Sequence, residues 1–346
     1  MGGSSTGISV PISMNKQEWI NNSIHYLYDN IPKSVLKSDF SDITEIKQSQ
    51  DKVQIIIDRD LDSKIKVILE ALKVIKRFFV FSLSLDHTKL PPKEIASMNF
   101  CVLSGYITYI QQHVFQSLYG QEDGVPKKTA LLHLWGRVFG FAQSLTKLDS
   151  PRDAYPLTAS LRMLLELYVD MVLIRDDIIE NAVDKFFAHP DLHKYKTAPK
   201  LIEIDKELGR PISESSELIK YETIPSEEKK KIRDFWNISK PPNHWSGLHL
   251  EDRARKAKCL DIYRHVYHYG NIFIHSGYVK FPSNEKESHM LCAHVYGSSS
   301  DLLSKSTKMI CDFVIPSKSS QVKEDMDKFI ILGDYNLWNT HYRSDK

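Results

Sequence analysis

The segment Ser160–Asp177, "SLRMLLELYVDMVLIRDD", is apolar nearly all the way round when its residues are placed at about 100° per residue. A helix of that kind is buried on most sides, so the segment predicts a central helix surrounded by other elements. Before the charged end at residues 175–177, the charged side chains Arg162, Glu166 and Asp170 follow one another at intervals of four residues and form a single stripe. The stripe is therefore either an exposed seam or an internally paired network.

Helical periodicity recurs along most of the chain, and no convincing alternating β pattern or internal repeat interrupts it. The predicted helices are Lys16–Tyr28, Leu61–Leu85, Pro92 to about Leu118, Lys128–Leu148, Ala159–Ile174, Asp252–Ser276, Asn284–Val314 and Val322–Ile331. Pro/Gly turns separate the helices of the first half, which is typical of an up-and-down bundle. The predicted fold class is all-α, a multi-helix up-and-down bundle with an irregular, partly helical insertion.

Changes in composition divide the chain into five predicted parts. Residues 1–60 form a leader, a helix and a linker; 61–189 the first part of the bundle; 190–242 an insertion or lid; 243–316 the second part of the bundle; and 317–346 a tail helix. The part 190–242 is set apart because it is rich in Lys, Glu, Pro and Ser, with short helical patterns at Lys200–Leu208 and Ser226–Trp236.

Composition restricts location and partners. The 46 basic and 44 acidic residues give a formal charge of +2, which is too balanced to require a polyanionic partner. Four widely spaced cysteines form no C-x-x-C pair, so a reduced, cytoplasmic protein is expected. The most apolar long segment, Leu61–Leu85, carries five Lys or Arg residues, so no membrane association is predicted. RNA, a partner protein and a second copy of the chain stay open as partners.

A second polar stripe lies in "YRHVYHYGNIFIHSG", residues 263–277. On an ideal helix, Arg264, His268, Asn271 and His275 share one narrow face, and an apolar face lies opposite. The stripe is either a half-buried polar face of an amphipathic helix or part of a reactive site.

Known metal and cofactor signatures are missing from the sequence. The helices contain no Glu-x-x-His pair of the kind that binds di-iron in bundles, and His-Glu-x-x-His does not occur. P-loop, dinucleotide and nucleophile-elbow motifs are also missing. We therefore predict no cofactor and no metal.

The segment Ser226–Lys258 holds nine Lys or Arg and five Asp or Glu, and Phe235, Trp236 and Trp245 interrupt it. A basic segment that carries aromatic side chains is typical of a single-stranded RNA site. A solvated Lys/Glu helix has the same composition, so both interpretations stay open.

Three stretches carry a family resemblance: "LRMLLELYVDMVLI", "AVDKFFAHPDLHKY" and "NHWSGLHLEDRARKA", followed by Tyr263, Tyr267 and His275. They resemble the helical family known as domain of unknown function 5677, over roughly Ala96–Gly277. That family implies a helical body and no defined activity. The body is also similar to HEPN domains, many of which are metal-independent ribonucleases of toxin and phage-defence systems. The HEPN motif is Arg followed by four to six residues and His, and no arginine of this sequence has a histidine at that spacing. Arg264 and His268 have only three residues between them.

Two functions follow from these observations. The HEPN similarity implies an RNA endonuclease in which His275 and His268 transfer protons and Arg264 stabilises the phosphorane, with Arg162 and Glu166 as a supporting pair. The alternative is a non-catalytic binding or regulatory module with a buried Arg/Glu/His network, so whether the chain is an enzyme stays open. In either case we expect the stripe of Arg264, His268 and His275 to face Arg162 and Glu166, under a roof formed by residues 236–245.

Overall fold

The computed structural model of the 346-residue chain describes residues 43–49, 52–57, 89–118, 121, 124–148, 153–210, 216–274 and 284–327. The described chain contains the hairpin β1 (Ile43–Ser49) and β2 (Lys52–Ile57) and ten helices. The helices are α1 (Pro92–Tyr109, continued by a π-helical turn Ile110–Val114 and a last turn Phe115–Leu118), α2 (Pro126–Leu145), α3 (Ala154–Arg175), α4 (Ala182–Glu207), α5 (Ser216–Ile219), α6 (Ser226–Trp236), α7 (Leu250–Lys256), α8 (Leu260–Ile274), α9 (Glu285–Val314) and α10 (Pro316–Asp327). The fold is all-α, as predicted from the sequence.

The strands β1 and β2 pair antiparallel from Ser49↔Lys52 to Ile43↔Ile57, with an irregularity between Ile43 and Glu45. The sequence interpretation placed a linker here, because seven-residue and six-residue strands give too short an alternation to be recognised. Within the described chain no strand takes part in the helical body.

Helix α3 lies at the centre of the body, as its apolar circumference predicts. Leu161, Leu164, Leu165 and Met171 are completely buried. The helix packs against α2 on one side and against α8 and α9 on others. A polar side chain on α3 therefore either finds a partner inside the protein or remains at a narrow exposed edge.

Helices α1 and α9 pack closely along their length. Gly297 of α9 makes this approach possible, because a Cβ atom at this position would lie 2.8 Å from Asn99 Nδ2. The Asn99 amide in turn donates to the Ala293 carbonyl at 2.8 Å, which holds the two helices in register.

The segment 190–242 begins inside α4, which continues through Pro190 and Pro199 without a break. The last helix of the segment, α6, has the bounds that the sequence predicts, Ser226–Trp236. In the described chain, helices thus occupy residues 190–207, 216–219 and 226–236 of the predicted insertion.

The predicted helix Asp252–Ser276 is divided into α7 and α8. Lys258 adopts a left-handed conformation with φ of 56°. Its N–H donates to the Arg255 carbonyl at 3.2 Å, and the Cys259 N–H donates to the Ala254 carbonyl at 2.8 Å. This is the Schellman pattern that ends a helix. Lysine carries no sequence signal for that conformation, so periodicity alone predicted one helix.

The remaining predicted helices have different outcomes. The predictions for Lys16–Tyr28 and Leu61–Leu85 lie outside the described residues. The tail helix begins at Pro316, earlier than predicted. Among the helices that are described, none is both long and apolar enough to span a bilayer.

Candidate functional site

Two carboxylates lie on the central helix α3, one turn apart. Asp170 is buried, with 6% of its surface exposed, and Glu166 is half-buried. Burying a carboxylate costs several kcal/mol unless hydrogen bonds and charges compensate for the lost water. The partners of Glu166 and Asp170 therefore decide what this part of the protein can do.

Arg253 of α7 binds both carboxylates. Its Nη1 donates to Asp170 Oδ1 at 2.7 Å, and its Nη2 donates to Glu166 Oε2 at 3.1 Å. Arg253 is itself only 3% exposed. The short helix α7 places the arginine there, because the turn at Ala257–Cys259 ends α7 and lets α8 return along α3.

The loop before α7 supplies two further donors to Asp170. Trp245 Nε1 donates to Asp170 Oδ2 at 3.0 Å, and His244 Nε2 lies 3.0 Å from the same oxygen. The Ser246 N–H donates to His244 Nδ1 at 3.2 Å, so that ring nitrogen carries no proton. We assign the proton to Nε2, where it is donated to Asp170.

Trp236 and Gly247 hold the same loop in place. Trp236 Nε1 donates to the Trp245 carbonyl at 2.7 Å. Gly247 has φ of 73°, and a Cβ atom there would lie 3.0 Å from the Trp236 ring. Both features favour glycine at 247. Within residues 236–245, His244 and Trp245 thus lie against Asp170 of α3. The roof expected over Arg264, His268 and His275 stays a prediction.

Opposing effects set the ionisation of Asp170. Its burial raises the pKa, but the hydrogen bond from His244, the charge of Arg253 and the Trp245 N–H outweigh burial and hold the pKa below its usual value. Asp170 is therefore ionised at neutral pH. It is surrounded by donors, which is the arrangement of a structural ion network rather than of a general base.

A cleft of about 680 Å³ opens beside this network. It is bounded by α2, α3, α4 and the loop at 244–245. The lining side chains include Arg137 and His133 of α2, Met163, Glu166 and Asp170 of α3, Phe186, Phe187 and His189 of α4, and His244 and Trp245. Ligand-binding clefts are typically about 300–1,000 Å³, mostly apolar, with a few polar groups.

His189 has a fixed orientation at the edge of the cleft. Its Nε2 lies 3.2 Å from the Pro242 carbonyl, which can only accept, so Nε2 carries the proton. Burial lowers the pKa of His189, which the Pro242 carbonyl partly offsets. The imidazole is therefore neutral at pH 7 and contributes a polar but uncharged surface.

The structure brings Arg162 and Glu166 together, because Arg162 Nε donates to Glu166 Oε1 at 3.2 Å. The Arg162 guanidinium also lies 5.4 Å from the centre of the Tyr267 ring of α8. Arg264 is exposed, and no hydrogen bond or ion pair joins it to either residue of that pair in the described structure. His268 lies within α8, but its side chain is not among those described, and His275 lies outside the described residues.

Sequence reasoning did not identify Arg253 and His244 as partners of Glu166 and Asp170. Arg253 is one of nine basic residues between 226 and 258, and nothing in the local pattern distinguishes it. The useful signal was indirect: the carboxylates of a nearly apolar helix need cations from elsewhere in the chain.

The RNA interpretation of residues 226–258 relied partly on Trp245, which is only 4% exposed and donates to Asp170. A buried indole cannot stack on a base, so this residue does not serve as the predicted aromatic platform. Within the described chain, no group of three or more His, Cys, Asp or Glu side chains is arranged to hold a metal ion.

Comparison with known proteins gives a family match. The model of a family of unknown function, DUF5677, matches residues 128–287. The matched region runs from α2 into the start of α9 and includes the Arg162–Asp170 stripe, the cleft and Arg253. The resemblance predicted from the sequence is confirmed there, although it begins later than Ala96 and extends past Gly277. No curated protein and no solved structure matches the chain significantly.

Proposed function

We propose that the protein is a non-catalytic helical binding module whose ligand occupies the cleft between α2, α3 and α4. The observation that carries this proposal is the engagement of Glu166 and Asp170. Arg162 and Arg253 bind the first, and Arg253, His244 and Trp245 bind the second. Both carboxylates are thus committed to holding the cleft wall together.

The network explains how the cleft keeps its shape. Arg253 and Trp245 attach the loop 241–249 to α3, and Trp236 attaches α6 to the same loop. Hydrogen-bonded groups that are buried and charge-balanced are rigid, because breaking any bond leaves an unpaired buried group. A preformed cleft loses less entropy on binding than one that must order itself.

A neutral fluorescent probe tests the proposal. N-phenyl-1-naphthylamine becomes fluorescent in apolar clefts, and its titration gives a dissociation constant. Leu132→Trp fills the cleft from α2. We expect saturable binding to the wild type and binding weaker by about tenfold or more in Leu132→Trp, equivalent to at least ~1.4 kcal/mol.

Met290→Trp is the matched control, because Met290 is exposed on α9 and does not line the cleft. This variant should bind the probe like the wild type. Binding that does not saturate, or that is weakened equally by both substitutions, contradicts the proposal. Circular dichroism confirms that each variant is folded.

The alternative function is an RNA endonuclease of the HEPN type that uses His275, His268 and Arg264. It stays a prediction, as does the cytoplasmic location, and its test is RNA cleavage with and without EDTA. Cleavage that survives EDTA and disappears in His275→Ala supports the nuclease. Equal behaviour of the wild type and the variant removes it.

A further inference from the structure

One cation at the cleft lacks a partner within the described chain. Arg137 lines the cleft from α2 and is exposed, and it makes no ion pair or hydrogen bond with another described residue. The charged groups on the opposite wall are balanced, because Glu166 and Asp170 are bound by Arg162 and Arg253. The cleft therefore presents a positive charge to a ligand.

Aromatic side chains form the adjoining wall. The Phe186 ring lies 6.1 Å from Trp245 and 6.2 Å from His133, in edge-to-face arrangements. Phe187 is 45% exposed beside them. Such rings favour a planar aromatic ligand over an aliphatic chain of the same size, because ring pairs gain attraction beyond their buried area.

From these two walls we infer that the ligand is a small aromatic anion, with its ring against Phe186 and its carboxylate, sulfonate or phosphate at Arg137. This inference rests on the proposed function, because it assigns a ligand class to the same cleft. A neutral aromatic molecule would contact only the aromatic wall at Phe186, and an aliphatic anion would contact only Arg137.

Two probes that differ by a single anionic group test the assignment. The compound 8-anilino-1-naphthalenesulfonate is N-phenyl-1-naphthylamine with one added sulfonate. We expect the sulfonate to bind the wild type about tenfold more tightly at low salt, since a hydrogen bond to a charged group contributes on this scale. The advantage should shrink as added salt screens the exposed arginine.

Arg137→Gln should remove the advantage while leaving the neutral probe unchanged. Lys147→Gln is the matched control, because Lys147 is exposed just after α2 and does not line the cleft. Equal affinities of the two probes for the wild type, or an advantage that persists in Arg137→Gln, overturns the inference while the proposed function stands. Failure of both probes to bind saturably overturns both.

Displacement of the bound sulfonate then distinguishes the sources of such an anion. Adenosine 5′-monophosphate is compared with adenosine, and phenylacetate with phenylacetamide. Stronger displacement by the nucleotide identifies a phosphate, and stronger displacement by phenylacetate identifies a carboxylate; each supports the inference. Neutral molecules that displace as well as their anions contradict it.

Discussion

Replacing Asp170 by Asn removes one buried negative charge with almost no change of shape. The carboxylate accepts from Arg253 Nη1 at 2.7 Å, from His244 Nε2 at 3.0 Å and from Trp245 Nε1 at 3.0 Å. An amide has one acceptor oxygen, so one side of the new asparagine would present N–H groups to N–H donors. If the amide oxygen keeps His244 and Trp245, the amide nitrogen faces the Arg253 guanidinium.

Breaking a buried ion pair costs about 3–5 kcal/mol, because the remaining charge is left uncompensated. Arg253 keeps Glu166 at 3.1 Å, so we expect the lower end, about 3 kcal/mol. For a domain of this size such a loss lowers the midpoint of thermal unfolding by roughly 6–12 °C. Urea titration followed by circular dichroism gives the free energy of unfolding.

Asp176→Asn is the matched control. Asp176 pairs with Arg175 at 2.6 Å on the surface, with 42% of its side chain exposed, and exposed pairs contribute about 0–1 kcal/mol. The double variant Asp170→Asn/Arg253→Met should be less destabilised than the sum of its single changes, because the unpaired guanidinium is gone. A loss in Asp170→Asn no larger than that in Asp176→Asn would refute the reasoning.

Three further predictions concern the stability of the folded protein. Trp245→Phe removes the N–H donated to Asp170 and should lower the free energy of unfolding by about 1.5–3 kcal/mol; an unchanged urea midpoint contradicts it. Gly297→Ala should destabilise the protein by about 1–3 kcal/mol, because the new Cβ atom meets Asn99. Gly140→Ala should stabilise it by about 0.5–1 kcal/mol, because a Cβ atom there has nothing within 4 Å; equal thermal midpoints of the two variants would contradict this prediction. Because the folded pKa of Asp170 is lowered, the stability difference between wild type and Asp170→Asn should be constant from about pH 7 to pH 5 and shrink below about pH 4; a difference that grows on acidification has the wrong sign.

The sequence predicted the parts of the fold that depend on local patterns. The apolar circumference of α3 indicated a central helix, and the four-residue spacing of Arg162 and Glu166 indicated their ion pair. Both depend on the geometry of one helix, which the sequence determines directly. The bounds of α6 were predicted for the same reason.

The parts that depend on long-range packing were less accessible. Arg253 reaches Asp170 across 83 residues of chain, and no periodicity relates the two positions. Lys258 adopts the left-handed conformation that separates α7 from α8. Glycine is the usual sequence signal for such a helix end, and the residue here is lysine. The sequence therefore favoured Arg264, His268 and His275 as the cations, whereas Arg253 of the preceding helix binds both carboxylates.

Ligand binding in the cleft, without RNA cleavage, is the function that we propose for this chain. The most direct measurement applies both assays to the same samples of wild type, Leu132→Trp and His275→Ala: titration with N-phenyl-1-naphthylamine, and RNA cleavage in EDTA. We predict saturable binding to the wild type and to His275→Ala, weaker binding to Leu132→Trp, and no cleavage by any of the three. Cleavage in EDTA that is lost in His275→Ala, together with probe binding that is unaffected by Leu132→Trp, would contradict the claim.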